Sequence, residues 1–190
     1  SDTPVERRAL DQWYVRTTAY ADRLAADLDQ VDWPDRIKTM QRNWIGRSEG
    51  MDLRVRIEGQ GTEIAVFTTR PETVVGAAFI ALAPEHPLAT TIAAADRADA
   101  VWAYVAEALR RSEVDRLASA DAPSPVATRT SAIHPLSGRR LPVLVADSVM
   151  GHYGTGAIMG VPGCDARDAQ IAARFSVQAV PVSLDAASRD

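Results

Sequence analysis

Two carboxylates and a guanidinium lie close together in the segment Tyr153–Asp168, which reads YGTGAIMGVPGCDARD. An apolar run ends at Pro162-Gly163, and Asp165, Arg167 and Asp168 follow directly. This order predicts a strand, a turn and the start of a helix, where free backbone N–H groups and carboxylates concentrate polar chemistry. The cluster could grip a cationic, hydroxyl-rich ligand, and it could equally be an ordinary helix cap.

A second polar group follows residues 62–68, which are predicted to form a strand. It consists of Thr68, Thr69, Arg70 and Thr73. Pro71 suits the first turn of a short helix at this point. Taken alone, these hydroxyls are explained as helix caps.

Two glycine patterns are excluded as sites. Gly154, Gly156 and Gly160 have some features of a dinucleotide loop, but they enter an apolar strand instead of opening a helix. The pattern G-x-S-x-G at 46–50 fails as a nucleophile elbow, because a helix-like segment precedes Ser48 and a strand follows it.

The positions of the cysteine and the histidines in the sequence do not match the spacing of a metal site. His86, His134 and His152 lack the close spacing of metal ligands. The single cysteine, Cys164, cannot form an intramolecular disulfide and fits a reducing compartment. We interpret it as a small buried thiol and not as a nucleophile.

Length and composition indicate a globular protein with one domain and a small appendage. The 190 residues carry a net charge of −4, with 46% hydrophobic and 24% charged residues. No apolar run approaches the ~20 residues of a membrane span and no signal-peptide pattern opens the chain, so we expect a cytoplasmic protein without membrane contact. The negative charge disfavours general nucleic-acid binding, but a local basic patch could contact RNA. Its residues are Arg36, Lys38, Arg42, Arg47, Arg54 and Arg56.

Apolar periodicity predicts both strands and helices. Strands are expected at 51–59, 62–68, 77–82, 141–145, 157–161 and 177–184, and helices at 37–44, within 90–117 and near 169–175. Residues 118–131 contain Pro123 and Pro125, so we expect a loop there.

Three segments resemble the leucyl-tRNA synthetase family, in that family's order. YGTGAIMGVPGCDARD is similar to its editing-site signature YGTGAVMGVPGHDxRD, and Phe67–Thr73 (FTTRPET) is similar to its threonine-rich motif TTRPDT. Lys38–Gly50 resembles the segment that leads from the synthetase body into the editing insertion, and IHPL at 133–136 matches as well. The synthetic motifs KMSKS and HIGH are absent from the sequence, so the resemblance implies an editing insertion without a synthetic active site.

The resemblance implies an α+β fold with a mixed, β-barrel-like core and surrounding helices, as in the editing domains of class I synthetases for valine, isoleucine and leucine. It implies a linker and helical segment at 1–45, the editing domain at 46–184 and a flexible tail at 185–190. The implied activity is hydrolysis of mischarged tRNA(Leu) without a metal or organic cofactor. The implied partners are the aminoacylated 3′ end of tRNA(Leu) and the remainder of the synthetase in cis, and we expect a monomer.

The resemblance also implies roles for individual residues. Asp168 matches the aspartate that binds the substrate's α-ammonium group, and Thr73 matches the threonine that limits how deeply an amino-acid side chain enters. The implied catalytic residues are Thr68, Thr69, Arg70, Asp165 and Asp168. The implied substrate-binding residues are Thr73, Tyr153 at the nucleotide, Met159 and Val161 at the side-chain pocket, and again Asp168.

The sequence departs from the family pattern at three positions. Cys164 stands where the signature has histidine, Glu72 stands where the threonine-rich motif has aspartate, and Arg129 stands where glycine follows Thr128 in the family. Loss of the histidine ring could alter how Asp165 or the terminal adenosine is held. The alternative to an active enzyme is therefore a tRNA-binding or regulatory module whose editing chemistry has decayed.

Overall fold

The computed structural model describes residues 11–47, 49–118 and 124–182. The chain divides into two compact units whose boundary lies between Glu49 and Gly50. The domain limits expected at 45/46 and 184/185 stay predictions, and Ser48 and the tail at 185–190 lie outside the described residues. No helix in the described ranges is long and apolar enough to cross a membrane.

The first unit is helical. A 3-10 turn at Thr17–Tyr20 leads into α1 (Ala21–Asp27), and α2 (Asp35–Ile45) follows. Arg42 on α2 forms an ion pair with Asp29, just after α1, and so ties the two helices together. The helix predicted at 37–44 is confirmed.

The second unit is built on a mixed sheet of six strands. They are β1 (Met51–Ile57), β2 (Glu63–Thr68), β3 (Phe79–Leu82), β4 (Val126–Ile133), β5 (Arg140–Val145) and β6 (Ala157–Gly160). The spatial order is β2-β1-β4-β5-β3-β6, with β3 parallel to β5 and the other neighbours antiparallel. The α+β class is confirmed, as are the strands expected near 51–59, 62–68, 77–82, 141–145 and 157–161.

The sheet curls until its two edge strands approach each other. β2 and β6 lie close together, but within the described residues no backbone pairing joins them. The concave face holds the main core, in which Val55, Ile64, Ile80 and Val143 are fully buried. The expected barrel-like core is therefore present in an open form, with a gap along the line where β2 and β6 meet. We call this line the β2–β6 seam.

Helices pack against the sheet through two separate apolar clusters. Ile171 and Ala172 pack into a cluster with Phe79 of β3, while Val101 packs in a separate cluster with Val145 of β5. The helical elements of this unit are 3-10 turns at Pro71–Gly76 and Ala95–Arg97, α3 (Ala98–Arg110), α4 (Glu113–Ala118) and α5 (Ala166–Arg174). The predicted helices within 90–117 and near 169–175 are confirmed.

Two segments differ from the sequence-based expectation. Residues 126–131, expected to form a loop, belong to β4. Its pairing with β5 shifts register between Ala127 and Ser131, and such a bulge breaks the period-of-two pattern by which a strand is recognised. Residues 177–182, expected to form a strand, carry no strand structure. They pass Gly76 so closely that a Cβ atom there would lie 2.1 Å from the Val182 side chain.

The bulge in β4 places Arg129 in the left-handed region, with φ 58°. This is the position at which the resembling family has glycine. A side chain in that region is disfavoured by about 1–2 kcal/mol, because Cβ crowds the following carbonyl oxygen. Arg129 also forms an exposed ion pair with Asp96, which offsets only a small part of this strain.

Arg129→Gly should raise the free energy of unfolding by about 0.5–1 kcal/mol, because relief of the left-handed strain exceeds the added freedom of the unfolded chain. Equilibrium denaturant unfolding with an unchanged m value measures this difference. Asp96→Ala removes the ion pair alone and serves as the control, with an expected loss of less than about 0.5 kcal/mol. A glycine variant less stable than the unchanged protein would show that the bulge carries no such strain.

Candidate active site at the open seam of the sheet

The threonine-rich segment forms one side of the seam. β2 ends at Thr68, whose Oγ1 accepts a hydrogen bond from the Arg70 N–H at 3.0 Å. The 3-10 turn that follows carries Thr73, which is only 4% exposed. Both the N–H and the hydroxyl of Thr73 donate to the Arg70 carbonyl oxygen, at 3.0 and 2.8 Å. The chain thus folds back on itself directly after the strand and holds its hydroxyls in a small volume.

The carboxylate segment forms the other side. Asp165 caps α5, since its Oδ1 accepts hydrogen bonds from the N–H groups of Arg167 and Asp168 at 2.8 and 3.1 Å. Asp168 lies in the first turn of α5, and its Oδ2 accepts a hydrogen bond from the Val161 N–H at 2.7 Å. The predicted strand, turn and helix start are all confirmed, and the two carboxylates do different things. Asp165 caps the start of α5, and Asp168 links the first turn of α5 to Val161, the residue directly after β6.

A cavity of about 180 Å³ lies between the two segments. It brings together all but one of the residues proposed from the sequence, although their segments are far apart along the chain. The lining residues are Thr68, Thr69, Arg70, Thr73, Met159, Val161, Cys164, Asp165 and Asp168. The cavity is bounded by hydroxyl, guanidinium, carboxylate and apolar groups, and it is a suitable size for a small polar ligand with an apolar branch.

Tyr153 is the proposed residue that does not line this cavity. Its ring stacks edge-to-face on Phe67, with centroids 6.2 Å apart and an angle of 78° between the planes, and 46% of the residue is exposed. Gly154 has φ 55°, and a Cβ atom there would come within 2.6 Å of Phe67. Phe67 directly precedes Thr68, so Tyr153 is held beside the strand residue that leads into the cavity. Phe67 is a contact that the sequence analysis did not single out.

The electrostatics of the cavity centre on Asp168. Burial raises the pKa of its carboxyl from the usual 3.8 to about 6, and the nearby negative charge of Asp165 adds to the rise. The hydrogen bond from Val161 and the positive charge of Arg167 oppose it. Among the described residues no cation lies in salt-bridge contact with Asp168, whereas Arg70 is paired with Glu72 at 3.2 Å. A cationic ligand would therefore meet a carboxylate whose charge is poorly compensated.

Cys164 departs from the expectation of a buried thiol, because it is exposed and lines the cavity. The turn at Pro162-Gly163 carries it to the surface, and its N–H donates to the Val161 carbonyl oxygen at 2.9 Å. Within the described residues no group of three or more His, Cys, Asp or Glu side chains could hold a metal ion.

His134 is a further residue at the site whose role the sequence analysis missed. It is 1% exposed, and its Nε2 lies 2.8 Å from the carbonyl oxygen of Val74, the neighbour of Thr73. The available signal was a histidine within the apolar IHPL stretch, where burial forces both ring nitrogens to find partners.

A family model described as leucyl-tRNA synthetase, editing domain, matches residues 42–189. The chain belongs to this family. The resemblance drawn from the sequence motifs is thereby confirmed, and the editing-site signature and the threonine-rich motif form the two facing sides of one cavity. The structure is also similar to that of agnB2 LeuRS from Agrobacterium radiobacter K84, described as a ternary LeuRS-tRNA-LeuAMS complex. The two share 42% identity with a TM-score of 0.78, over 92% of this chain and 21% of that one.

The stability of this editing domain should fall as pH rises through the pKa of Asp168. A carboxyl whose pKa is raised in the folded state holds its proton more tightly there than in the unfolded chain. The ionised carboxylate therefore destabilises the folded state, an effect that is absent below about pH 3.8 and complete above about pH 6. Asp168→Asn keeps a side-chain acceptor for the Val161 N–H and carries no charge. It should be more stable than the unchanged protein by on the order of 2 kcal/mol at pH 8, and by much less at pH 4.5.

Denaturant unfolding of both proteins across this pH range measures the difference. Asp168→Ala is the matched control, because it removes the same charge and also the acceptor for Val161, and it should lie about 1 kcal/mol below the asparagine variant at each pH. A stability difference between the unchanged protein and Asp168→Asn that does not vary with pH would contradict this account of the carboxylate.

Proposed function

We propose that this chain hydrolyses the ester bond of mischarged tRNA(Leu), carrying norvaline, isoleucine or a similar amino acid, to free amino acid and tRNA. The observation that carries the proposal is the cavity at the β2–β6 seam, in a member of the editing-domain family, where a poorly compensated carboxylate faces a group of hydroxyls. The proposed partners are the aminoacylated 3′ end of tRNA(Leu) and the remainder of a leucyl-tRNA synthetase in cis. We place the protein in the cytoplasm as a monomer.

A second site of this kind is required by the limits of binding selectivity. A pocket that selects leucine distinguishes a missing methylene by only about 1–3 kcal/mol, so smaller or isosteric amino acids are sometimes attached. Hydrolysis in a separate cavity that refuses leucine but admits the misattached amino acids raises accuracy beyond what a single pocket can reach. In this proposal the limit is set by the buried side chain of Thr73, which lines the cavity at the seam.

Asp168 binds the α-ammonium group of the aminoacyl ester in this proposal. A charge-assisted contact is short and strong, and it compensates the charge that burial makes unfavourable on this carboxyl. With a pKa of about 6, Asp168 is ionised at neutral pH and ready to accept a cation. Asp165 supports it by capping the helix on which it lies.

Thr68 and Thr73 differ in whether the hydroxyl hydrogen is already used in a hydrogen bond within the protein. Thr68 Oγ1 accepts from the Arg70 N–H, which leaves its own O–H able to donate to the ester carbonyl or to the attacking water. Thr73 already donates its O–H to the Arg70 carbonyl oxygen. Thr73 is thus suited to act by bulk, and Thr68, with Thr69 and Arg70 beside it, to act on the reacting end.

The remaining proposed residues shape the cavity and its approach. Met159 and Val161, at β6 and just after it, provide an apolar wall for the amino-acid side chain. Tyr153 contacts the terminal nucleotide in this proposal, which its half-exposed ring on Phe67 supports.

Deacylation of norvalyl-, isoleucyl- and leucyl-tRNA(Leu) tests the proposal, with the chain alone and with it joined to the remainder of a leucyl-tRNA synthetase. We expect release of norvaline and isoleucine, retention of leucine, and loss of hydrolysis in Asp168→Ala with the fold intact by circular dichroism. Binding of tRNA without hydrolysis in both contexts would instead support a module whose editing chemistry has decayed. Hydrolysis by Asp168→Ala near the unchanged rate would refute the role of Asp168.

Thr73→Ala should release the size restriction. Removal of the Thr73 methyl and hydroxyl opens room for the branch of a leucyl side chain, so the variant should hydrolyse correctly charged leucyl-tRNA(Leu) and still hydrolyse norvalyl-tRNA(Leu). Thr73→Tyr fills the same space and should suppress hydrolysis of every aminoacyl ester. Initial deacylation rates on purified esters measure both effects. A Thr73→Ala variant that is active on the norvalyl ester but still spares the leucyl ester would show that Thr73 does not discriminate.

A further inference from the structure

The turn between β4 and β5 contains a histidine that contacts two parts of the domain at once. The turn is closed by backbone hydrogen bonds between His134 and both Arg139 and Gly138, at 2.8 and 3.0 Å. Inside it, His134 Nδ1 accepts hydrogen bonds from the N–H groups of Leu136 and Ser137, at 3.1 and 3.2 Å. Because Nδ1 acts as the acceptor, the neutral ring carries its proton on Nε2.

That Nε2 proton points away from the turn and toward the threonine-rich segment. It is donated to the carbonyl oxygen of Val74 at 2.8 Å. From the same turn, Arg139 Nη2 donates to the Ala77 carbonyl oxygen at 3.1 Å. The two side chains therefore hold the second half of the 3-10 turn that carries Thr73 and the residue directly after that turn. We call His134 and Arg139 together the brace.

Both halves of this 3-10 turn are closed by short-range hydrogen bonds, and the second half is also held from outside by the brace. Thr73 is bonded twice to Arg70 within the turn. Beyond it, Val74 accepts from the Ala77 N–H at 3.0 Å. Short 3-10 elements have poor hydrogen-bond geometry and little stability of their own. The contacts from the β4–β5 turn therefore add to the bonds that fix the depth of Thr73 in the cavity.

We infer that the brace positions Thr73, and that His134 is a specificity-determining positioning residue for the hydrolysis proposed above. The inference rests on that proposed function. A sieve that separates side chains differing by one carbon requires its blocking atoms to be held to a fraction of an ångström, because a small shift admits the larger ester. The bond from Nε2 is not needed to form the β4–β5 turn, which Nδ1 already supports.

Two substitutions of His134 separate the support of the β4–β5 turn by Nδ1 from the hydrogen bond that Nε2 donates to Val74. In His134→Asn the amide oxygen takes the place of Nδ1 and keeps the turn, but no donor reaches Val74. In His134→Gln the amide nitrogen takes the place of Nε2 and keeps the donor. The quantity to measure is the ratio of kcat/KM for norvalyl-tRNA(Leu) to that for leucyl-tRNA(Leu). We expect His134→Asn to lower it about tenfold, the scale of one lost hydrogen bond, and His134→Gln to keep it within about threefold.

Arg139→Met is the second variant. Arg139 is exposed, so its loss leaves the core intact, and the ratio should fall about threefold in the same direction. An unchanged ratio in folded His134→Asn, or an equal fall in the asparagine and glutamine variants, would overturn the inference. If His134→Asn does not fold, an unchanged ratio in Arg139→Met overturns it. Lack of norvalyl hydrolysis by the unchanged chain would refute the proposed function itself, a result that is separate from these.

Discussion

The curl of the six-stranded sheet is the constraint on which the candidate site depends. The threonine-rich motif follows β2 and the editing-site signature spans β6, the two strands at opposite ends of the sheet order. Burial of the concave apolar face, with Ile64 on β2 and Met159 on β6 in one cluster, favours the curl that brings these ends together. No backbone pairing closes the seam in the described residues. The cavity lies along that line, where two sets of polar groups face each other.

Most polar groups of the site have hydrogen-bond partners within the protein, whereas the negative charge of one carboxylate is poorly compensated. Asp165 caps α5 with two hydrogen bonds, and Thr73 is bonded twice to Arg70. Asp168, by contrast, has its pKa raised by burial and accepts one hydrogen bond from Val161. Such an arrangement lowers the stability of the free protein, and a bound cation would restore it, which is typical of functional sites. The departures from the family pattern leave this arrangement in place, since Glu72 pairs with Arg70 and Cys164 lies at the exposed edge of the cavity.

Support for the site comes from parts of the domain that carry none of its chemistry. Phe67 and Gly154 hold Tyr153 beside the end of β2, and His134 and Arg139 reach from the β4–β5 turn to the segment that carries Thr73. These contacts are made by a buried histidine, an aromatic pair and backbone carbonyl oxygens. In the function proposed above, rigid support of this kind would let the cavity discriminate by size, because larger thermal shifts of the blocking group would admit the wrong substrate.

The sequence by itself determined the family, the α+β class, most strands and nearly all residues of the cavity, because these depend on local periodicity, turn residues and short motifs. The strand Val126–Ile133 was hidden by its bulge, and the exposure of Cys164 could not be anticipated from residue type. Only the tertiary structure decided that the carboxylate segment and the threonine-rich segment line one cavity, that Tyr153 stands apart on Phe67, and that His134 reaches Val74. Each of these outcomes depends on the contacts between segments distant in the chain, and those contacts exist only once the sheet has curled.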